Sequence, residues 1–129
     1  MGTESRFSSR IESEIEALLD RHEAAVAGLA RRLVATIREL RPDFAVAVRT
    51  GWGSVNFRHA RAGFVCAVFP QTRERNVLLV FEHGRQLSSP LLVDNGKVRQ
   101  VRWIPLVPGD DIPVDEIGIL LAEAIALRS

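Results

Sequence analysis

Gly51-Trp52-Gly53-Ser54-Val55-Asn56-Phe57 opens the middle of the chain and Val101-Arg102-Trp103-Ile104-Pro105-Leu106 closes it. Between these two stretches apolar residues recur at the two-residue period of strands, whereas the flanking sequence repeats at three and four. Gly51 and Gly53 reach positive φ without steric cost and mark a turn. Val55, Phe57 and His59 then alternate with Asn56 and Arg58, the pattern of a half-buried strand. Phe64 to Phe69 is apolar on both faces, as in a central strand, and Pro70 closes it. Residues 71 to 76 read as a polar hairpin loop and Val77 to His83 as the returning strand. Gly84 ends that strand. Ser88-Ser89-Pro90 and Asp94-Asn95-Gly96 supply turn chemistry within residues 85 to 97, and Val98 to Leu106 is the next strand. The short loops between the middle strands favour antiparallel pairing, since a parallel crossover needs a dozen or more residues.

Helical sequence lies on both sides. Ser8 or Ser9 can cap a helix, with Glu12 placed to complete a capping box, and residues 1 to 8 are expected to be disordered. Ile11, Ile15, Leu18, His22, Val26, Leu29, Leu33, Ile37 and Leu40 form one stripe of helical period. The stripe fits either one helix from about 9 to 40 or two helices broken near residues 20 to 24. Arg41-Pro42 ends it, because proline disfavours helix in the residue before it. Phe44 to Val48 fits a strand or a last helical turn, with strand preferred. Pro113 suits the first position of a closing helix whose apolar face is Val114, Ile117, Leu120, Leu121, Ala124 and Ile125. The fold expected is α+β over one domain, residues 1–129. It has an N-terminal helix or helix pair, an antiparallel sheet of four to five strands, and a C-terminal helix packed on one face.

Composition narrows the function classes. Hydrophobic residues make up 47% and charged residues 26%, the range of globular domains, and the net charge is +1. That charge gives no general attraction to nucleic acid or to anionic lipid. It is unevenly placed: residues 44 to 105 carry nine Arg/Lys against three Asp/Glu. Residues 106 to 129 carry five acids and one arginine. No apolar run approaches the roughly 20 residues a membrane helix needs. The start shows no signal-peptide pattern, and the single Cys66 suits a reducing compartment, so a cytoplasmic location is expected.

One alternate set of strand residues is apolar: Val55, Phe57, Phe64, Cys66, Val68, Val77, Leu79, Phe81, Val98 and Ile104. It is assigned to the core. The other set, Arg58, Val65, Ala67, Leu78, Val80, Glu82, Arg99, Val101 and Trp103, is too apolar for full exposure and too charged for full burial. On that face Trp103 with Trp52 would form an apolar floor, while Arg58 and Arg99 orient an anionic or polar group. These five, Trp52, Arg58, Glu82, Arg99 and Trp103, are the candidate ligand site. The alternative assignment gives the arginine stems a covering role and pairs Glu82 with one of them.

Other chemistry lacks its residues. His22, His59 and His83 are scattered, and Cys66 lies in an apolar strand, so no His/Cys metal site is expected. There is no nucleophile elbow, phosphate-binding loop or dinucleotide motif, and no catalytic residues are named. Glu12, Glu16, Asp20 and Glu23 lie along one side of the first helix, where clustered carboxylates could hold a hard cation or, on the plainer reading, form a solvated face.

From about residue 44 to 127 the chain resembles the YdhG-like family of small bacterial domains. The matching residues are the glycine turn into a strand at Gly51 to Phe57, Phe81-x-x-Gly84-x-x-Leu87, Ser89-Pro90 with Leu91-Leu92, and Gly96-Lys97-Val98-Arg99-Gln100-Val101-Arg102. The chain has Gly51-Trp52-Gly53-Ser54 where relatives often have glycine, an apolar residue and proline, and it lacks the proline break between their first two helices. The resemblance implies a fold compared with frataxin, and some members carry an iron-chaperone label. The expected function is a non-enzymatic, cytosolic ligand- or protein-binding module with no cofactor, a face that also suits homodimerisation, and no nucleic-acid or membrane partner. The alternative is an iron carrier using Glu12, Glu16, Asp20 and Glu23.

Overall fold

Proline and glycine mark some element ends but not all: Pro70 does not close its strand but pairs with Val77 inside it, and Pro105 likewise lies within a strand. The computed structural model describes residues 3–93 and 101–128. Its order is α1 (Thr3–Leu19), α2 (Ala24–Leu40), β1 (Ala45–Arg49), β2 (Ser54–His59), β3 (Gly63–Gln71), β4 (Asn76–Phe81), a 3-10 turn (Gly84–Gln86), β5 (Arg102–Leu106) and α3 (Val114–Arg128). The strands form one antiparallel sheet in chain order, β1-β2-β3-β4-β5. This is the α+β fold expected, with five strands. Among the described residues no helix is long and apolar enough to cross a membrane.

The N-terminal stripe divides into two helices at residues 20 to 23. Arg21 and His22 N–H groups bond to the carbonyls of Leu18 and Leu19 as α1 tightens at its end, and Glu23 is extended ahead of α2. Glu23 at the N-cap of α2 suits the positive end of that helix dipole, whereas Asp20, just past the end of α1, lies at a negative end and gains nothing from it. At its other end α1 begins at Thr3, so Ser8 and Ser9 lie within the helix instead of capping it. No glycine or proline interrupts Glu4 to Ser9. Phe44 to Val48 resolves as a strand, because β1 pairs with β2 from Ala45 opposite Arg58 to Arg49 opposite Ser54.

One apolar cluster joins the helices to one face of the sheet. Leu18 and Leu19 of α1, Val26, Leu29, Leu33 and Ile37 of α2, and Ile117, Leu120 and Leu121 of α3 meet Val55, Phe57, Cys66, Val68, Val77, Leu79, Phe81 and Ile104. Each large side chain buried here contributes about 1.5–3 kcal/mol. No described helix covers the other face.

Two residues exchange sides relative to the sequence-based assignment. Phe57 pairs with Cys66 and the next residue, Arg58, pairs with Phe64, so Val65 is an extra residue in β3. A bulge of this kind reverses the alternation beyond it. Val65 therefore joins the core and is buried, while Phe64 turns to the open face and is half-buried. Val98 and Arg99, with the Asp94-Asn95-Gly96 turn and the Gly96 to Gln100 part of the family pattern, lie outside the described residues. The last strand begins at Arg102 among the described residues, and Val93 forms an isolated bridge to Trp103 on its outer side.

Gly84, quoted above in the family pattern, is needed for close approach. A Cβ there would lie 2.4 Å from Arg102 Cβ and 2.7 Å from its backbone nitrogen. Because backbone cannot swing aside as a side chain can, Gly84→Ala is expected to destabilise by about 1–3 kcal/mol. Urea unfolding should show an earlier midpoint at an unchanged slope; an unmoved midpoint would mean that the β5 edge shifts freely.

Candidate functional site

The open face is built from three successive cross-strand rows of β1 and β2. Arg49 stands opposite Ser54, Ala47 opposite Asn56, and Ala45 opposite Arg58. Because alternate residues share a face, Ser54, Asn56 and Arg58 point the same way, and small residues occupy the middle row. The result is a cleft of about 430 Å³ lined by Ala47, Arg49, Gly51, Trp52, Asn56, Arg58 and Phe64. Its volume is that of a small-molecule site.

The local turns place the lining. Trp52 and Gly53 N–H groups both donate to the Arg49 carbonyl, at 3.2 and 2.8 Å, and Gly53 takes φ +74°, a conformation that suits glycine. Arg21 Nη1 donates to the Thr50 carbonyl at 3.2 Å, tying this loop to the α1–α2 junction. Trp52 is thereby held at the lip with 69% of its surface exposed. At the opposite end the bulge delivers Phe64 beside Arg58, and Gly63 at φ +75° leaves room for the Arg58 guanidinium. Without the bulge Phe64 would be in the core and this end of the cleft would lack its ring.

Polar groups complete the floor. Ser54 Oγ, fully buried, donates to Asn56 Oδ1 at 2.7 Å. That bond occupies the Asn56 carbonyl and leaves its Nδ2 donors for the cleft. Around the corner, His59 Nδ1 accepts from the Arg61 and Ala62 N–H groups at 3.1 Å each, and its Nε2 lies 3.4 Å from Asp43. His59 therefore braces the β2–β3 turn.

Arginine pairing distinguishes the two sides of the molecule. On the helical side Arg31 makes two bonds to Glu16, at 2.9 and 2.7 Å, Arg38 pairs with Glu12, and Arg75 lies 3.3 Å from Glu23. Arg41 bonds Asp43 at 2.6 Å. Arg49 and Arg58 make no ion pair or hydrogen bond with another side chain among the described residues, and both are exposed.

Four of the five sequence-derived site residues are described, and two of them share the cleft. Trp52 and Arg58 line the same cleft. Trp103 shares the middle row with Ala47 and Asn56 but stands at its far end, through Ala67 and Val80. Four strand spacings separate Ala47 from Trp103, roughly 19 Å. Glu82 follows β4, where its N–H donates to the Val65 carbonyl at 3.2 Å, and it forms no ion pair with Arg58. Arg99 lies outside the described residues. Arg49, Asn56 and Phe64 complete the cleft in their place.

The carboxylate column fits a cation poorly. Three of its four members, Glu12, Glu16 and Glu23, already face an arginine from another element, and the Arg31 hydrogen bonds hold the Glu16 carboxyl below its ordinary pKa. Among the described residues no three His, Cys, Asp or Glu side chains are grouped to hold a metal ion. Cys66 is buried, and burial pushes its thiol well above its usual pKa, so the reactive thiolate is suppressed. No family model, no curated protein and no solved structure matches this chain.

Proposed function

We propose that this chain is a non-enzymatic binding module, of the YdhG-like kind its motifs resemble, that takes a small organic anion in the cleft between Arg49 and Arg58. One observation carries the reading: two arginines without acidic partners among the described residues face a concave surface that also offers an amide donor and two aromatic rings. A planar guanidinium suits a carboxylate, which it can meet with two parallel hydrogen bonds. Trp52 and Phe64 suit an apolar or planar body between or beside the charges. Among the described residues the cleft lining has no Ser, Thr, Cys, His, Lys, Asp or Glu to serve as nucleophile or general base, which favours binding over turnover.

The test is titration of the protein with a panel of aliphatic and aromatic carboxylates, followed by calorimetry and by the emission of exposed Trp52. Saturable one-to-one binding that quenches Trp52 is expected. In Arg58→Ala affinity should fall by about 10- to 150-fold, the equivalent of the roughly 1.5–3 kcal/mol of a hydrogen bond to a charged group. A panel without a single saturating member, or an Arg58→Ala variant that binds as tightly as the parent, would overturn the proposal.

A further inference from the structure

Arg49 and Arg58 are not side by side. Arg49 lies in the row of Ser54, Arg58 lies four residues farther along β2, and the Ala47–Asn56 row runs between them. At about 3.3 Å per residue the two rows are roughly 13 Å apart along the strand. Each end of the cleft carries the same pair of elements: Arg49 with Trp52 at one end, Arg58 with Phe64 at the other. The middle has no charge, only a methyl group and the Asn56 amide.

From this placement we infer that the ligand carries an acidic group at each end of an apolar spacer, and that the cleft selects dicarboxylates over monocarboxylates. The inference rests on the anion-binding reading above and specifies its ligand. One guanidinium at each end matches the single charge and two oxygens of a carboxylate. A dianion whose charges lie on one group would satisfy one arginine and leave the other unpaired. The Asn56 Nδ2 donors stand where a polar group along the spacer could accept. Tethering both ends also makes the second contact intramolecular, so a ligand of matching length gains affinity beyond either contact alone.

The probes are straight-chain α,ω-dicarboxylic acids of increasing length and rigid aromatic dicarboxylic acids, each compared with its own monomethyl ester. Calorimetry on the full chain should show the diacids binding at least tenfold more tightly than their half-esters, with an optimum at an intermediate or long spacer. Arg49→Ala and Arg58→Ala should each bring the diacid down to half-ester affinity while leaving the half-ester only partly affected. Diacids and half-esters binding alike, or affinity that depends on one arginine only, would overturn the two-ended ligand and leave simple anion binding standing. Silence from both series would overturn both. Thermal unfolding of the variants at the parent's midpoint shows that lost affinity is not lost fold.

Discussion

Val65→Asp is expected to remove most of the stability of the fold, whereas Phe64→Asp, one residue away, is expected to leave it folded. Val65 is 4% exposed and belongs to the apolar cluster under the helices. A carboxylate there would have to be protonated or buried as a charge, and full burial commonly raises a carboxyl pKa by about 3–5 units, each worth about 1.36 kcal/mol. The loss of about 4–7 kcal/mol is comparable with the total of about 5–15 kcal/mol that holds a typical domain together. Phe64 is half-buried on the open face, so its replacement forfeits part of an apolar side chain, about 1–2 kcal/mol. Denaturant titrations of the two variants measure the difference. Simple alternation without the bulge predicts the reverse order, and equal effects would contradict the register of β2 on β3.

The same pair of residues shows where the sequence stopped being informative. Helix, meander and closing helix were legible because the apolar period changes at Pro42 and again at Pro113, and because loops such as Thr72 to Arg75 are too short for anything but antiparallel return. The bulge was not legible: Phe64, Val65, Cys66, Ala67 and Val68 are all apolar, so polarity cannot mark which one is extra. Trp52 and Arg58 were found from a turn and a strand of clear phase. Arg49 was missed because residues 44 to 48 fitted strand or helix, and a face cannot be assigned before the period is known. Asn56 carried a usable signal, since it alternates in step with Arg58. Trp103 and Glu82 were grouped with the cleft by face alone, and a shared face in a five-stranded sheet says nothing about distance across it. The helix carboxylates show the same limit of a local reading. Their spacing is local, but the arginines that neutralise them come from α2 and from the β3–β4 hairpin.

Reversing the charge at Arg58 should have the largest effect on binding of any single change that leaves the fold intact. Arg58 is exposed and has no ion pair or side-chain hydrogen bond among the described residues, so Arg58→Glu removes no internal bond, and thermal unfolding should remain close to the parent's. Surface substitutions of this type stay within about 0.5 kcal/mol. At the cleft two effects add. The charge-assisted contact is lost, about 1.5–3 kcal/mol, and a like charge then faces the ligand's acid in a partly enclosed site. Together these should lower carboxylate affinity by more than 100-fold at low salt, against 10- to 150-fold for Arg58→Ala, with the gap between the two variants narrowing as salt screens the repulsion. Calorimetry of both variants at two ionic strengths separates the contributions. Equal affinities for Arg58→Glu and Arg58→Ala at low salt would place the bound acid away from Arg58, leaving Arg49 and Trp52 to account for recognition.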